Sequence, residues 1–433
     1  MFGGKSGDGR GVGGGNRIYG EYIADGKMAK YTRRKNTRRK KGGKYQHPMI
    51  ANKFPKKFPP KKTQKKAASC HPSTMGTPKV APESCLTSEK LQKVKNAYNS
   101  KHPNHHVLGT TDSEIYQEIA NRFADSCKEE KCWIRKLLGE NDIKPLYRPT
   151  SPADWKKNPV EWLSNFDIEA VMNQYEETYP EFEFLGPVPI DFDKRSKKGD
   201  DNTCVSKDVC AFHLDEKIKQ GKTKMGIVFN LSPSTSSGSH WVSLYVHLPD
   251  TLMKNNKTQP TAARGGEEFV NENVNENMNA TMMGGDLETE MGGKGQSWNQ
   301  NSAYCFFFDS AGESAPKQIE ELVIRLQTEW NTNPKINPGK TEMFYDSNHR
   351  TRADHQQGNT ECGVYSIFFL TTMLTGKCAG GGVTSDVCAI SLDTEQKKVD
   401  YFQGKMKNGK GRKLIIPDKF MVELRKLYFN PHP

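Results

Sequence analysis

The stretch that decides the fold of this chain runs from His355 to Leu370 and has the sequence H-Q-Q-G-N-T-E-C-G-V-Y-S-I-F-F-L. A polar, glycine-containing turn leads into one cysteine, Cys362, and a largely apolar run follows it directly. This pattern predicts a buried helix that begins at the cysteine. The first turn of a helix presents unpaired backbone N–H groups and the positive end of the helix dipole, which favour a thiolate. Cys362 is therefore a candidate nucleophile.

A glutamine precedes this cysteine by six residues. The side-chain amide of Gln356 and the backbone N–H of Cys362 can point at the same place, and two such donors form an oxyanion hole for acyl transfer. Gln357 stands next to it and is the competing candidate for this role.

A cysteine nucleophile needs a base, and the chain offers one earlier. The segment S-H-W-V-S-L-Y-V, from Ser239, alternates like a strand and carries His240 at its start. A second apolar run, F-F-F-D-S from Phe306, carries Asp309 at its end and predicts another strand. Asp309 can orient the imidazole of His240, which completes a set of nucleophile, base and orienting group. Each residue taken alone is more often a packing residue, and the combination favours catalysis.

The motifs S-H-W-V-S-L, F-F-D-S-A-G and H-Q-Q-G-N-T-E-C-G-V-Y-S together resemble the adenain and SUMO-specific protease superfamily of cysteine peptidases, and within it the polyprotein-processing protease of African swine fever virus and its relatives in large DNA viruses. The resemblance covers roughly residues 83 to 430. It implies that Cys362 is the nucleophile, His240 the base, Asp309 its orienting group and Gln356 the oxyanion donor.

The same resemblance implies a substrate and a substrate site. Family members cleave after Gly-Gly, and in SUMO-specific proteases a tryptophan of a W-L-N-D motif lies over those glycines. Trp162 in W-L-S-N matches that motif, and Trp241 beside His240 is the second expected substrate-binding residue. The African swine fever virus enzyme lacks the first tryptophan, and a tryptophan can also serve only as packing at a helix start. The implied function is cleavage of viral structural polyproteins during particle maturation, with no metal or cofactor.

Composition limits the remaining possibilities. The chain has 433 residues with 64 Lys and Arg against 51 Asp and Glu, a net charge of +13. It has no apolar run long enough for a membrane span and no apolar leader, so we expect a protein that is not secreted. The resemblance to the viral proteases implies that it acts in host cytoplasm, at assembly sites, and in the virion. The ten cysteines are scattered and one is needed free, which favours a reducing compartment without disulfides.

The fold class that these patterns predict is α+β, a papain-like core of the adenain and SUMO-protease type with a helical N-terminal accessory domain and a disordered basic tail. The expected boundaries are residues 1–82 for the tail, 83–150 for the accessory domain and 160–430 for the protease domain. Cys127 and Cys132 lack further zinc ligands, so we interpret them as core packing. Residues 249–301 are Asn-, Met- and Gly-rich and predict a disordered insertion between His240 and Asp309.

Two features leave alternatives open. The tail carries blocks such as Y-T-R-R-K-N-T-R-R-K-K from Tyr31, which are equally consistent with a solvated tail, an import signal or an arm that binds nucleic acid. For the whole protein, the alternatives to polyprotein cleavage are an isopeptidase that removes ubiquitin-like modifiers from host proteins, and a non-catalytic nucleic-acid-binding virion component. Retention of all four catalytic residues argues against the second.

Overall fold

The structure is a computed structural model, and it describes residues 17–24, 27–34, 69–74, 78–81, 84–195, 204–252, 298–380 and 385–432, the first two ranges as backbone only. The strands, in chain order, are β1 (Arg17–Ala24), β2 (Lys27–Arg34), β3 (Phe182–Pro189), β4 (Lys224–Asn230), β5 (Trp241–His247), β6 (Ala303–Phe308) and β7 (Met343–Ser347). The α-helices are α1 (Ser88–Lys101), α2 (Asp112–Arg122), α3 (Glu130–Leu138), α4 (Asn165–Thr178), α5 (Lys207–Cys210), α6 (Leu214–Lys219), α7 (Lys317–Thr332), α8 (Cys362–Thr375), α9 (Glu395–Phe402) and α10 (Asp418–Tyr428). Short 3-10 turns lie at Pro72–Thr74, Ala153–Lys156, His349–Thr351, Cys378–Gly380 and Asp386–Cys388.

Strands β3 to β7 form one mixed sheet in spatial order β3-β4-β5-β6-β7. The two outer pairs are parallel and the three central strands are antiparallel. The central strands are buried on both faces, which explains why their sequences are almost continuously apolar. Together with the helices on both faces, this sheet confirms the predicted α+β core.

Helix α8 covers one face of the sheet and packs across β5. Every residue from Cys362 to Leu374 in this helix is buried, as expected for a helix that is apolar all round. Phe369 stacks on Phe308 of β6 with ring centres 4.8 Å apart. The opposite face is covered by α7, which contributes Leu326 and Trp330 to a second core cluster.

The strand pairing brings distant residues to one edge of the sheet. Strands β5 and β6 are antiparallel with Ser243 opposite Phe308, so the start of β5 lies beside the end of β6. The ends of the long insertion also meet, since the Asp250 N–H donates to the Gln300 carbonyl at 3.1 Å. The insertion therefore leaves the pairing of its flanking strands intact. Residues 253–297 of the insertion lie outside the described residues.

Helices α1 to α3 pack around a core of their own. Thr87 caps α1, and Thr111 with Glu114 forms a capping box on α2. The core of these helices is contributed by Cys85, Leu86, Leu91, Val94, Tyr98, Val107, Ile115, Tyr116, Ile119, Cys127, Trp133, Ile134, Leu137, Ile143, Leu146 and Tyr147. These helices therefore have a core of their own, and their assignment as an accessory domain over residues 83–150 stays a prediction.

One sequence-based expectation changes in the N-terminal part of the chain. Helix α3 begins at Glu130, after a turn in which the Cys127 N–H donates to the Phe123 carbonyl at 2.7 Å. In the tail that we expected to be disordered, β1 and β2 form an antiparallel hairpin. The remainder of residues 1–68 lies outside the described residues, and disorder there stays a prediction.

The expectation of unpaired cysteines is wrong for eight of the ten. Disulfides join Cys70 to Cys85, Cys127 to Cys132, Cys204 to Cys210 and Cys378 to Cys388. Each bridge closes a loop of at most 15 residues, which is why scattered positions in the sequence still meet in space. Cys127 and Cys132 thus form a disulfide in addition to packing in the core. The cysteine pattern no longer favours a reducing compartment.

Candidate active site

Cys362 is the first residue of α8, and its side chain has no exposed surface. The helix begins there because a turn of small and polar residues gives way to residues that can all be buried. Glu361 precedes it as the N-cap residue without capping α8 through its side chain. The unpaired N–H groups of the first helical turn are therefore available to a substrate at the sulfur.

His240 lies between the sulfur and a carboxylate. Its Nε2 is 2.6 Å from Oδ1 of Asp309, and the side chain of Cys362 hydrogen-bonds the same imidazole. Since Asp309 occupies Nε2, the ring presents Nδ1 to the sulfur. Burial by itself would lower the pKa of His240, but the Asp309 carboxylate and the Cys362 side chain raise that pKa well above its usual value. The arrangement thus favours an imidazolium.

Asn348 fixes the position of Asp309, and sequence reasoning missed it. The Asp309 N–H donates to Oδ1 of Asn348 at 3.0 Å, and Nδ2 of Asn348 donates to the Asp309 carbonyl at 2.6 Å. The Ala311 N–H donates at 2.9 Å to Oδ1 of Asp309, the same oxygen that faces His240. The only sequence signal was that Asn348 follows a short strand, and polar residues after strands are common.

The two neighbouring glutamines point in different directions. Gln356 is buried, and its Oε1 accepts a hydrogen bond from the Ser310 hydroxyl at 2.7 Å. That bond fixes the amide orientation and leaves Nε2 as the donor end, which contacts the Gly358 carbonyl at 3.2 Å. Gln357 is exposed. The geometry therefore favours Gln356 over Gln357 as an oxyanion donor.

Helix α10 holds the turn that carries Gln356. Oδ2 of Asp418, the first residue of α10, accepts from the N–H groups of Gln357 and Gly358 at 3.1 and 2.6 Å. Its other oxygen accepts from the Tyr365 hydroxyl on α8 at 3.1 Å. Sequence reasoning gave Asp418 no role, because nothing in the chain shows that a residue 56 positions after Cys362 returns to the site.

His355 is a structural residue. Its Nε2 lies 2.8 Å from the Phe402 carbonyl, and its Nδ1 accepts from the Ile416 N–H. Burial lowers the pKa of His355 to about 4, so the ring is neutral at neutral pH. It ties the start of the catalytic turn to the C-terminal part of the chain.

The two tryptophans expected at the substrate site have different surroundings. Nε1 of Trp241 donates to the Leu163 carbonyl at 3.1 Å, which holds the segment after Trp162 against the active site. Trp162 is partly buried against the main core. A Cβ atom on Gly363 would lie 3.0 Å from Cβ of Leu163 and 3.3 Å from Cδ1 of Trp241, so a larger residue there would push these side chains away by a few tenths of an ångström.

The described residues contain no cluster of three or more His, Cys, Asp or Glu side chains arranged to hold a metal ion. Within the same ranges, no helix is both long and apolar enough to cross a bilayer.

Part of the chain is similar to known proteases. Residues 227–409 match the model of the Ulp1 protease family, C-terminal catalytic domain. A protein of Acanthamoeba polyphaga mimivirus that is named "putative thiol protease" is 22% identical over 357 residues, covering 77% of this chain and 93% of that protein.

Two crystal structures of the African swine fever virus protease are also similar. One is 15% identical with a TM-score of 0.44 and covers 85% of this chain and 97% of that one. The other, a selenomethionine form, is 16% identical with a TM-score of 0.39 and covers 84% and 96%. From the family match and the sequence relative we conclude that the chain is a cysteine protease, with residues 227–409 similar to the catalytic domain of the Ulp1 protease family.

Proposed function

We propose that this protein is a viral cysteine endopeptidase that cleaves structural polyproteins after Gly-Gly during particle maturation, at assembly sites in host cytoplasm and in the virion. The observation that carries the catalytic part is the chain of hydrogen bonds from Asp309 through His240 to Cys362 at the start of α8. Such a chain supplies a nucleophile, a base and an orienting group in one place.

In the proposed mechanism, the proton of Cys362 moves to His240 and leaves a thiolate–imidazolium pair. The sulfur attacks the peptide carbonyl, and the oxyanion receives hydrogen bonds from Gln356 and from the Cys362 N–H. His240 then gives its proton to the leaving amine as the carbon–nitrogen bond breaks. A water molecule, deprotonated by His240, attacks the thioester and releases the acid and the free thiol.

The confined surroundings of the nucleophile support a substrate with very small residues before the cleaved bond. Cys362 has no exposed surface, and only 7% of His240 is exposed. The Leu163 segment and Trp241 pack within van der Waals distance of Gly363, the residue next to the nucleophile. A chain that reaches the sulfur must therefore be thin, and two glycines are the thinnest residues available.

The experiment that tests the proposal is a panel of peptides that carry Gly-Gly-X, Gly-Ala-X or Ala-Gly-X, assayed beside a SUMO conjugate and a viral polyprotein segment with a Gly-Gly-X site. We expect cleavage only after Gly-Gly, with the polyprotein segment preferred over the conjugate. Cys362→Ala protein is the control. Efficient release of the modifier with little cleavage of free peptides would favour the isopeptidase instead, and equal cleavage of all three peptides would contradict Gly-Gly specificity.

A further inference from the structure

Arg425 of α10 is a buried arginine that reaches the residue before the nucleophile. Only 2% of its side chain and 3% of that of Glu361 are exposed, and Nε of Arg425 donates to Oε2 of Glu361 at 2.8 Å. Its Nη2 also donates to the Thr360 carbonyl at 3.1 Å. The guanidinium thus binds the side chain of Glu361 and the backbone of Thr360, the two residues that precede Cys362.

The same guanidinium holds a second segment, residues 160–163, which we call the covering segment. Nη1 of Arg425 donates to the Glu161 carbonyl at 2.6 Å, and Nη2 to the Val160 carbonyl at 3.4 Å. The flat face of the group lies 4.6 Å from the ring centre of Trp155, which fixes its plane. The covering segment continues to Leu163, which packs against Gly363.

Charge gives Arg425 a second effect on the site. Glu361 directly precedes Cys362, and burial raises the pKa of its carboxyl while Arg425 favours its charged form. A charged Glu361 next in sequence to Cys362 would disfavour a thiolate, because like charges disfavour the ionised form of a neighbour. Arg425 offsets that charge at hydrogen-bond distance. The titratable and charged groups around this pair are Glu161 on the covering segment, His240 and Asp309 at the ends of β5 and β6, Tyr365 on α8, and Asp418 on α10.

We infer that Arg425 is a positioning residue for the protease reaction. It holds the Glu361–Cys362 peptide, whose N–H is the proposed oxyanion donor, and the covering segment in one mutual arrangement, and it offsets the charge of Glu361. A planar group with five donors can serve four acceptors on two segments at once, which an ammonium cannot do in the same geometry. This inference rests on the proposed function in that Cys362 is taken as the nucleophile.

The charge effect is tested by alkylation of Cys362 with iodoacetamide as a function of pH, followed by peptide mass spectrometry. In Arg425→Met the midpoint of the alkylation profile should rise by less than one pH unit, because Glu361 loses its cation but, being buried, then takes up a proton more readily. In Glu361→Gln it should fall by about the same amount, because the unpaired cation favours a thiolate. The double variant with Arg425→Met and Glu361→Gln lacks both charges, and its alkylation midpoint should equal that of the wild type.

The positioning effect is tested by kinetics on a Gly-Gly peptide. Arg425→Lys keeps the positive charge but loses the planar guanidinium and its set of N–H donors. We therefore expect kcat/KM to fall about tenfold while the alkylation midpoint remains that of the wild type. The double variant should remain at least tenfold impaired in spite of its restored midpoint, since the bonds to Thr360, Glu161 and Val160 are gone. Lys426→Met is the matched control, because Lys426 is the next residue on α10 and pairs with Glu423 at the exposed surface.

Unfolding is monitored by near-UV circular dichroism, and if Arg425→Met does not fold, Arg425→Lys and Glu361→Gln decide the question. Wild-type kinetics and midpoints in all folded variants would overturn the inference, as would shifts of the same sign in Arg425→Met and Glu361→Gln. If the variants show the expected midpoint shifts but the wild-type enzyme does not cleave Gly-Gly peptides, the proposed substrate is wrong. Arg425 would still be a positioning residue.

Discussion

Cys305 and Cys362 are the two cysteines outside disulfides, and both are completely buried. They lie on opposite faces of the same sheet. Cys305, on β6, belongs to the core cluster beneath α7, where its thiol lies 3.8 Å from the Met343 sulfur. Cys362 lies on the other face, at the start of α8, in hydrogen-bond contact with His240.

The difference shows that burial does not decide whether a cysteine can be a nucleophile. Burial in apolar surroundings raises the pKa of the Cys305 thiol to about 12, so it stays protonated and inert. Cys362 is just as buried, but it lies at a helix start and in hydrogen-bond contact with the imidazole of His240. The neighbouring donors, rather than exposure, separate the packing cysteine from the proposed catalytic one.

The largest expected effect comes from replacing each of the two buried cysteines by alanine. Cys362→Ala should lower kcat/KM on a Gly-Gly peptide by about a thousandfold or more, because it removes the nucleophile. Cys305→Ala is the matched control and should keep most of the activity, with a loss of unfolding free energy of about 1 kcal/mol for the lost sulfur packing. Equal losses in both variants, measured on folded protein, would contradict the assignment.

The second prediction concerns the imidazole that distinguishes the two sites. Asp309→Asn should lower kcat roughly several hundredfold, because the imidazole loses the partner that orients it. Asp309 raises the pKa of His240, so His240 keeps its proton up to a higher pH than an ordinary histidine. In the variant that pKa falls, and the alkaline limb of the pH profile of kcat should move to lower pH. An alkaline limb that stays in place would show that His240 is not the proton donor.

The third prediction compares adjacent glutamines. Gln356→Ala should lower kcat by about a hundredfold with little change in KM, since an oxyanion donor acts in the transition state. Gln357→Ala should change kcat less than threefold, because that side chain is exposed. The opposite ranking would mean that the oxyanion donor lies one residue later.

A smaller effect is expected at Ser310, which orients the amide of Gln356 without touching the substrate. Ser310→Ala should lower kcat by about tenfold, because the amide can then turn away from the oxyanion. Rescue by Ser310→Thr, which keeps the hydroxyl, would separate this role from a packing defect. Full activity of Ser310→Ala would show that the amide is held by other contacts.

The smallest effect on catalysis is expected from the basic tail. Deletion of residues 1–66 should leave cleavage of a short peptide unchanged, while affinity for DNA and its dependence on salt should both fall. Equal DNA binding by the full-length and the shortened protein at low salt would restrict the tail to a solvated segment or an import signal.

Much of the core could be predicted from the sequence because it depends on local patterns. The apolar run after Cys362 produced α8, and the alternation around Trp241 produced β5. The order of His240, Asp309, Gln356 and Cys362 followed from motifs whose residue types match their chemistry. Disulfide pairing was missed because the sequence does not show which cysteines approach each other.

By itself, the sequence determined which groups we propose as catalytic, since a cysteine before an apolar helix, a histidine before a strand and an aspartate after one are local features. Only the tertiary structure decided what holds them. Asn348 reaches Asp309, Asp418 reaches the Gln356 turn, and Arg425 reaches Glu361 across 64 residues of sequence. The contacts of Asn348 and Arg425 pair buried polar groups that would otherwise lose their hydrogen bonds with water, whereas the contact of Asp418 with Gly358 is exposed. Such a need can be met from anywhere in the chain, and only the packing of α10 against α8 shows which residue meets it.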